Sequence, residues 1–481
     1  MNVRTTFSRP FPVWPVPALW TVALGVWGLS RRHSVWRDEA ATWQVARRST
    51  AEIWHMLGQV DAVHGLYYLF MHGLFTLFGP GTTTLRLPSV LATAVAAGCV
   101  AALGERTAGR RAGLGAGLAL GLLPAVQFYL QEGRPYALVA AGVGVSTLLL
   151  AHGLRGRRGA ALWTGYGAAV LVCAWLNWLS LLAVLAHLVT LVWTRPDRAV
   201  WLRWAVAASL AALGALPLIL FSRGQSAQVS WIPPLTWHMM IGPAVLLAIG
   251  GLCALVDRPV AGRFSMAAVG LPLLVVPHLV LVAVSLVKPL FLDRYILFGL
   301  LGLALLIGAA LEAAVRAARP RFPRASAWLV PVAVGVAVLA LLPQFLAKRS
   351  PASRVDDVLA VTQDIRRHKA DGAGVLFVPA ARRDTLLVSP DAFDGLRDVA
   401  LAQGPGPSGT LKGVEKPPDA IRRAMLARHR ILLVTDAERV ARPVTARRDH
   451  VKMAVLRRYF RAVDDAQVRG RRVTTYERRA P

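Results

Sequence analysis

Three cysteines in 481 residues, Cys99, Cys173 and Cys253, all inside apolar runs, exclude a disulfide framework and leave no Cys-x-x-Cys metal motif. Acidic residues are scarce too: 26 against 55 basic ones, a formal net charge of +29. In a water-soluble chain that excess would suggest nucleic acid. Here the arginines lie largely in loops between apolar runs and in the last part of the chain, where topology and anionic membrane lipid account for them, and no nucleic-acid partner is implied. Missing as well are a P-loop, a GxGxxG turn after a strand and any catalytic-triad spacing. Ionisable residues are rare in the middle of the apolar runs, His187 and His278 being the clearest, and no inverted repeat is evident. A polytopic transporter or a flippase of lipid-linked sugars, which needs such groups along a pathway, is therefore the alternative reading and not the first. A non-catalytic binder of lipid-linked sugar is a third.

What the chain has in abundance is hydrophobicity: 55% hydrophobic residues, 17% charged, mean hydropathy +0.48. The apolar residues fall into runs at 11–30, 87–104, 112–130, 136–154, 159–176, 178–193, 205–221, 239–256, 264–287, 296–315 and 327–347. These predict a polytopic α-helical membrane protein with roughly eleven transmembrane helices over residues 1–347. The first run follows Arg4 and Arg9 as a signal peptide would, but it is long, contains Trp14 and Trp20 and lacks a small-x-small cleavage site. It reads as an uncleaved span with a cytoplasmic N-terminus. The run 66–79 is too short to cross a hydrocarbon core of about 30 Å, and its Tyr67, Tyr68, Phe70, His72, Phe75 and Phe78 suit an interfacial helix. Residues 51–60, with Ile53, Trp54 and Leu57 at helical spacing, predict a second surface-lying helix in the same first outer loop.

Arginine placement tests this alternation. The loops assigned to the cytoplasm carry Arg106, Arg110, Arg111, Arg155, Arg157, Arg158, Arg195, Arg198, Arg203, Arg258, Arg263 and the group from Arg316 to Arg324; the short loops opposite hold Arg134, Arg223, Lys288 and Arg294. Only the large first loop dissents, with Arg31, Arg32, Arg37, Arg47, Arg48 and Arg86. The resulting topology is a multi-pass plasma-membrane protein with residues 348–481 outside. There the composition changes, and a helix over 356–368, strands at 374–379 and 430–435 and a loop at 403–409 predict a small extracytoplasmic α/β domain.

On the same outer side the alternation gathers three polar clusters beside apolar runs. These are Asp38-Glu39 with Trp36 and Trp43 on either side, Asp61 with His64, Tyr67 and Tyr68, and Gln131-Glu132-Gly133-Arg134-Pro135-Tyr136. A carboxylate at a membrane mouth can act as a general base, and a guanidinium can present a planar fork to phosphate.

The ordered set resembles the family 39-like glycosyltransferases of the GT-C class, which include protein O-mannosyltransferases and lipid A aminoarabinose transferases. It is carried by Asp38-Glu39-Ala-Ala-Thr-Trp43, Asp61…His64-Gly-Leu-Tyr-Tyr68, Phe78-Gly79…Leu85-Arg86-Leu-Pro-Ser89, Gln131-Glu132…Arg134-Pro-Tyr136 and Asp293-Arg294-Tyr295. It spans roughly residues 11–346. The chain departs from the family at His64-Gly65-Leu-Tyr67, where Pro-Pro-Leu-Tyr is usual, and at 175–180, which lacks a common His-Tyr pair.

The resemblance implies an enzyme: a hexosyltransferase that moves a sugar from a polyprenyl-phosphate donor to an extracytoplasmic acceptor hydroxyl on a protein, lipid or polysaccharide, with inversion. Asp38 is then the catalytic base, and Glu39 orients it or the acceptor, their mutual repulsion raising one pKa. Arg134 contacts the donor phosphate, Glu132 holds Arg134 or binds substrate, and His64, Asp61, Tyr136 and Arg294 complete the binding set. A single-phosphate leaving group demands no divalent ion, so no metal or other cofactor is expected; Asp38 with Glu132 would suit one if the donor were a pyrophosphate.

Overall fold

A computed structural model of the chain describes residues 11–157, 159–225, 231–257 and 260–480, together with the backbone but not the side chain of Arg32. The N-terminal arginines and Arg158 and Arg258, which entered the topology reading, lie outside the described residues.

The first helix, α1 (Pro15–Val26), leads through a tight turn to three helices of the first loop: α2 (Arg37–Ala46), α3 (Thr50–Leu57) and α4 (Gly65–Phe78). Then come α5 (Thr82–Ala108), α6 (Arg110–Leu122), α7 (Pro124–Tyr129), α8 (Tyr136–Leu154), α9 (Ala160–Leu176), α10 (Leu182–Thr194), α11 (Arg198–Arg223), α12 (Trp237–Ala254), α13 (Met266–Val287), α14 (Leu300–Ala318) and α15 (Ala325–Arg349). Among the described residues seven helical stretches are long and apolar enough to cross a membrane: α5, α8, α11, α12, α13, α14 with its leading turn, and α15; α1, α4, α9 and α10 are shorter apolar helices. The expected span 112–130 is in two pieces, because Pro124 has no N–H to carry the helix on from α6 into α7. Asp38 and Glu39 lie on a helix, at the start of a stretch with no apolar periodicity to announce one.

The core of this helical body is built from small residues. A Cβ on Gly113 of α6 would sit 2.4 Å from the Ala101 carbonyl of α5, and one on Gly302 of α14 would sit 2.3 Å from the Gly270 carbonyl of α13. Backbone-to-backbone packing of that kind is how helices associate where the hydrophobic effect between them is weak. Conversely, Leu202, Val206, Leu210 and Leu213 stand exposed at helical spacing along α11, as do Val332, Val336 and Leu339 on α15. Water would penalise such stripes; lipid does not.

After α15 come α16 (Thr362–His368), β1 (Gly374–Val378), α17 (Asp384–Val388), β2 (Arg397–Asp398), the small ribbon β3 (Leu401–Gln403) and β4 (Val414–Glu415), α18 (Pro418–Leu426), β5 (Arg430–Asp436), α19 (Arg447–Tyr459), β6 (Phe460–Val468) and β7 (Arg471–Arg478). The main sheet has the order β2-β1-β5-β7-β6, with β1 parallel to β2 and β5 and with β7 antiparallel to β5 and β6. The helix expected from residue 356 starts six residues later. Asp356 and Asp357 are anchors instead: Asp356 accepts from Arg37 and Arg471, while Asp357 accepts from Arg469 and from the Val35 N–H. These bonds join the sheet domain to the segment that opens α2.

Candidate active site

Trp36, in an extended conformation, starts α2, so Asp38 and Glu39 both sit in its first turn, where carboxylates suit the helix dipole. Their environments are opposite. Glu39 is fully buried and receives hydrogen bonds from Arg86 at 2.7 Å to each oxygen, from Arg31 at 2.9 and 3.1 Å, and from the Gly133 N–H at 3.0 Å. Burial alone would push its carboxyl up, but Arg86 and Arg31 more than offset that and bring it down to about 2. Arg86 also donates to the carbonyls of Leu29 and Ser30, Thr42 Oγ1 donates to Gly133 O, and Ser89 Oγ donates to Glu132 O. Glu39 is thus the knot that ties the turn after α1, α2, the start of α5 and the 131–134 loop together. Gly133 is required there: a Cβ would lie 2.4 Å from Leu85.

This corrects the role expected of Glu39. It does not orient Asp38, because all its lone pairs are spent on internal donors, and its own carboxyl is lowered, not raised. The carboxyl raised in this neighbourhood is Glu132: burial lifts it to about 7, Arg354 opposes the shift, and Glu39 and Asp38 add to it. Nor does Glu132 hold Arg134. Its ion-pair partner is Arg354, at 3.8 Å, and neither of its oxygens accepts a hydrogen bond.

Asp38 is partly exposed, its side chain 23% accessible, and it pairs with Arg294 at 3.1 Å. Arg294 follows Asp293, whose carboxylate accepts from Tyr129 Oη at 3.0 Å and from the Arg294 N–H at 2.8 Å. The guanidinium groups of Arg294 and Arg134 lie 5.8 and 6.0 Å from the Tyr136 ring centre, so Tyr136 marks the gap between two cations. Arg134 donates to His64 Nε2 at 2.8 Å. His64, half-buried beside Arg134, is held neutral, its pKa down at about 4 through desolvation and the neighbouring guanidinium, despite Asp61 at 3.8 Å. Asp61 takes the left-handed backbone conformation and accepts from Tyr68 Oη. Asp38, Arg294, Arg134, Tyr136, Glu132, His64 and Asp61 are thereby brought to one neighbourhood; only Glu39 is turned away from it.

The fold aligns with that of ArnT from Cupriavidus metallidurans in the apo state (TM-score 0.59, 16% identity) and bound to undecaprenyl phosphate (TM-score 0.59, 15% identity), in each case over 96% of this chain and 97% of the other. It also aligns with the oligosaccharyltransferase AglB from Archaeoglobus fulgidus in complex with an inhibitory peptide and a dolichol-phosphate (TM-score 0.51, 10% identity), over 88% of this chain and 69% of that one. The chain has the GT-C fold. No family model and no curated protein matches the sequence.

Several residues that sequence reasoning left aside support this neighbourhood from within the scaffold. Arg31 and Arg86 clamp Glu39; the Leu-Arg-Leu-Pro-Ser run around Arg86 was visible, its partner was not. Arg354 crosses from the end of the helical body, donates to the Phe128 carbonyl at 2.7 Å and stacks 3.4 Å from the Phe128 ring centre. Around the site, buried polar atoms lack hydrogen-bond partners: both Glu132 oxygens, Nε of Arg134 and of Arg294, His64 Nδ1 and Tyr67 Oη. Each such group costs about 1–3 kcal/mol when left unpaired, a deficit that a polar ligand relieves. Among the described residues no group of three or more acidic, His or Cys side chains could hold a metal ion. The two histidines nearest the middle of apolar runs are tied down: His187 bonds Thr147 and Tyr166, and His278 bonds the Leu274 carbonyl.

Proposed function

We propose that this protein is a membrane glycosyltransferase that moves a sugar from a polyprenyl-phosphate donor to an acceptor hydroxyl on the extracytoplasmic side, with inversion. The observation that carries the reading is the split between neighbouring carboxylates: Asp38 is open and lies beside Arg294, while Glu39 is sealed into the scaffold. The fold's likeness to a structure holding undecaprenyl phosphate, and to one holding a dolichol-phosphate, supports this donor class.

In this mechanism the acceptor oxygen attacks the anomeric carbon as the bond from that carbon to the phosphate oxygen breaks. The hydroxyl proton passes to Asp38, and the polyprenyl phosphate departs with the bonding electrons. Arg134 and Arg294 stabilise the charge that develops on the phosphate, and Tyr136 spaces them. Glu132, poised near neutral pH, donates or accepts a hydrogen bond at the acceptor. Two guanidinium groups suffice for one phosphate, so this mechanism contains no metal.

The test is incubation of the purified protein with labelled polyprenyl-phosphate sugars and a membrane extract. A labelled lipid, protein or polysaccharide product, formed equally in the presence of chelator, is expected. Donor binding without transfer to any acceptor would overturn the enzymatic reading, and loss of transfer with chelator would overturn the metal-free one.

A further inference from the structure

The sheet domain carries a cleft that the transfer chemistry above does not use. It has a volume of about 920 Å³ and lies where β1 and β5 end, lined there by Pro379, Arg382 and Asp436. These neighbouring parallel strands send their outgoing chains to opposite faces of the sheet. After β1 the chain runs to Ala392 and Phe393, which pack with Val375 and Phe377; after β5 it runs to Val455 and Leu456 of α19, which pack with Leu376 and Leu433. A crevice at the carboxyl ends of strands that diverge in this way is where open α/β sheets bind ligands.

Its charge is lopsided in a specific manner. The acids of the cleft are all neutralised from within: Asp436 by Arg382 at 2.5 and 2.7 Å, Glu415 by Arg383 at 2.9 Å and Lys452 at 2.8 Å, and Asp449 by Lys452 at 2.8 Å. The rim cations Lys412, Arg442 and Arg447 are exposed, and among the described residues their side chains make no hydrogen bond or ion pair; Arg448 is held over the cleft by its bond to the Lys416 carbonyl. Residues 445–449 at the start of α19 line the cleft as well, and Ala446 at the cap position has no side chain with which to satisfy the first-turn N–H groups. Rim cations and uncapped N–H groups therefore converge on one space. Arg37, the residue before Asp38, is on the same lining.

We infer that this cleft binds a multivalent anion, a phosphate- or carboxylate-bearing group, and that it is the anchor by which an anionic acceptor presents its hydroxyl to Asp38. The acceptor part rests on the transferase reading; the anion site does not. An acceptor held at Arg37 lies one residue along α2 from the base, so the anchor restricts transfer to acceptors with a charged group close to the modified hydroxyl.

The probe is inorganic tripolyphosphate, titrated calorimetrically into the full chain in zwitterionic lipid nanodiscs at ~150 mM salt, where non-specific surface attraction is screened. Saturable one-to-one binding is expected. The pair Lys412→Glu and Arg442→Glu should weaken it roughly tenfold or more, while the equal charge change Arg457→Glu with Arg461→Glu, outside the cleft, should alter it less than about twofold. Absence of saturable binding, or equal weakening by both pairs, overturns the site. Repeating the titration in nanodiscs rich in phosphatidylglycerol separates the sources. Competition by the disc assigns the cleft to a lipid headgroup, and its absence assigns it to a soluble or polymer-borne anion; either result retains the site. In the transfer assay the same cleft pair should raise KM for the acceptor and leave undecaprenyl phosphate binding unchanged. A KM equal to that of the wild type refutes the acceptor role. Failure of the wild type to bind undecaprenyl phosphate refutes the donor reading while leaving the anion site standing.

Discussion

Asp38 and Glu39 are adjacent on α2, and successive residues on a helix point about 100° apart, so one can face the site while the other faces the scaffold. That division makes their variants separable. Asp38→Asn keeps shape and removes basicity: transfer should fall by ~10²–10⁴ with donor binding and melting temperature unchanged. Glu39→Gln instead leaves the buried Arg31 and Arg86 without their counter-charge, a change that costs ~3–5 kcal/mol, so it should show first as a lowered melting temperature. Full activity in Asp38→Asn would refute the base assignment. Arg134→Lys should weaken donor binding as well as rate, since lysine retains charge but loses both the fork and the His64 bond. Glu132 governs a pH effect of defined sign. Its folded pKa of about 7 lies above the ordinary 4.5, so its contribution to stability is complete below about 4.5 and is lost as pH rises through about 7. Glu132→Gln should therefore melt higher than wild type at pH 8 and alike near pH 4.5; no difference at pH 8 would mean that the carboxylate is charged in the fold at no cost. Glu39 runs the other way, its contribution present above about 4.5 and lost only as pH falls through about 2.

At the scale of elements, the first loop sets the geometry. The helix α3 opens with a reciprocal Ser49–Glu52 capping box, and α4 follows with only 14 residues, about 21 Å of helix, well short of the hydrocarbon core. We expect α4 to lie along the interface without crossing it. Gln59→Cys and Thr83→Cys, exposed positions flanking α4, should both react with an impermeant thiol reagent added from outside; labelling of only one would mean that the chain crosses between them. Apolar run length made most of the membrane helices legible in the sequence, and short apolar runs did the same for β1 and β5; α2, α17, α18, α19, β6 and β7 carry no such signal. What composition could not disclose is pairing. Nothing in Arg31, Arg86 or Arg354 as letters distinguishes an arginine that clamps a buried carboxylate from one that sets topology, because each partner is remote in sequence, Glu39 for Arg86 and Glu132 for Arg354. Asp356 and Asp357 misled for a related reason: acids at the head of an apolar-periodic stretch look like a helix start, and here they are ligands for arginines on α2 and near β7.

For the whole molecule, sidedness follows from contacts at the two ends of the helical body. At one end the chain entering α1 meets the turn between α5 and α6: Val13 N–H donates to Glu105, and Arg110 donates to the Phe11 carbonyl at 2.6 Å. At the other end the start of α5 carries Arg86, bonded to Glu39, and the sheet domain is fastened to the same place through the Val35, Arg37, Asp356 and Asp357 bonds. The α5 helix, with 27 residues and about 40 Å of length, separates the two ends by more than a bilayer core. We expect residue 110 and residue 400 on opposite sides of the membrane, and the positive-inside rule applied to the arginines around the α5–α6 turn predicts the cytoplasm for residue 110. A reporter active only in the cytoplasm should work when fused at residue 110, and one active only outside should work at residue 400. A fusion within the 47–48 segment of the first loop should match residue 400, since the domain and that loop touch: Arg48 reaches the Leu411 carbonyl. If residues 110 and 400 reported the same side, the helical body could not span a membrane as drawn. If both were reversed, the fold would stand but Asp38 would face the cytoplasm, and the donor sugar would have to be presented from the inner leaflet.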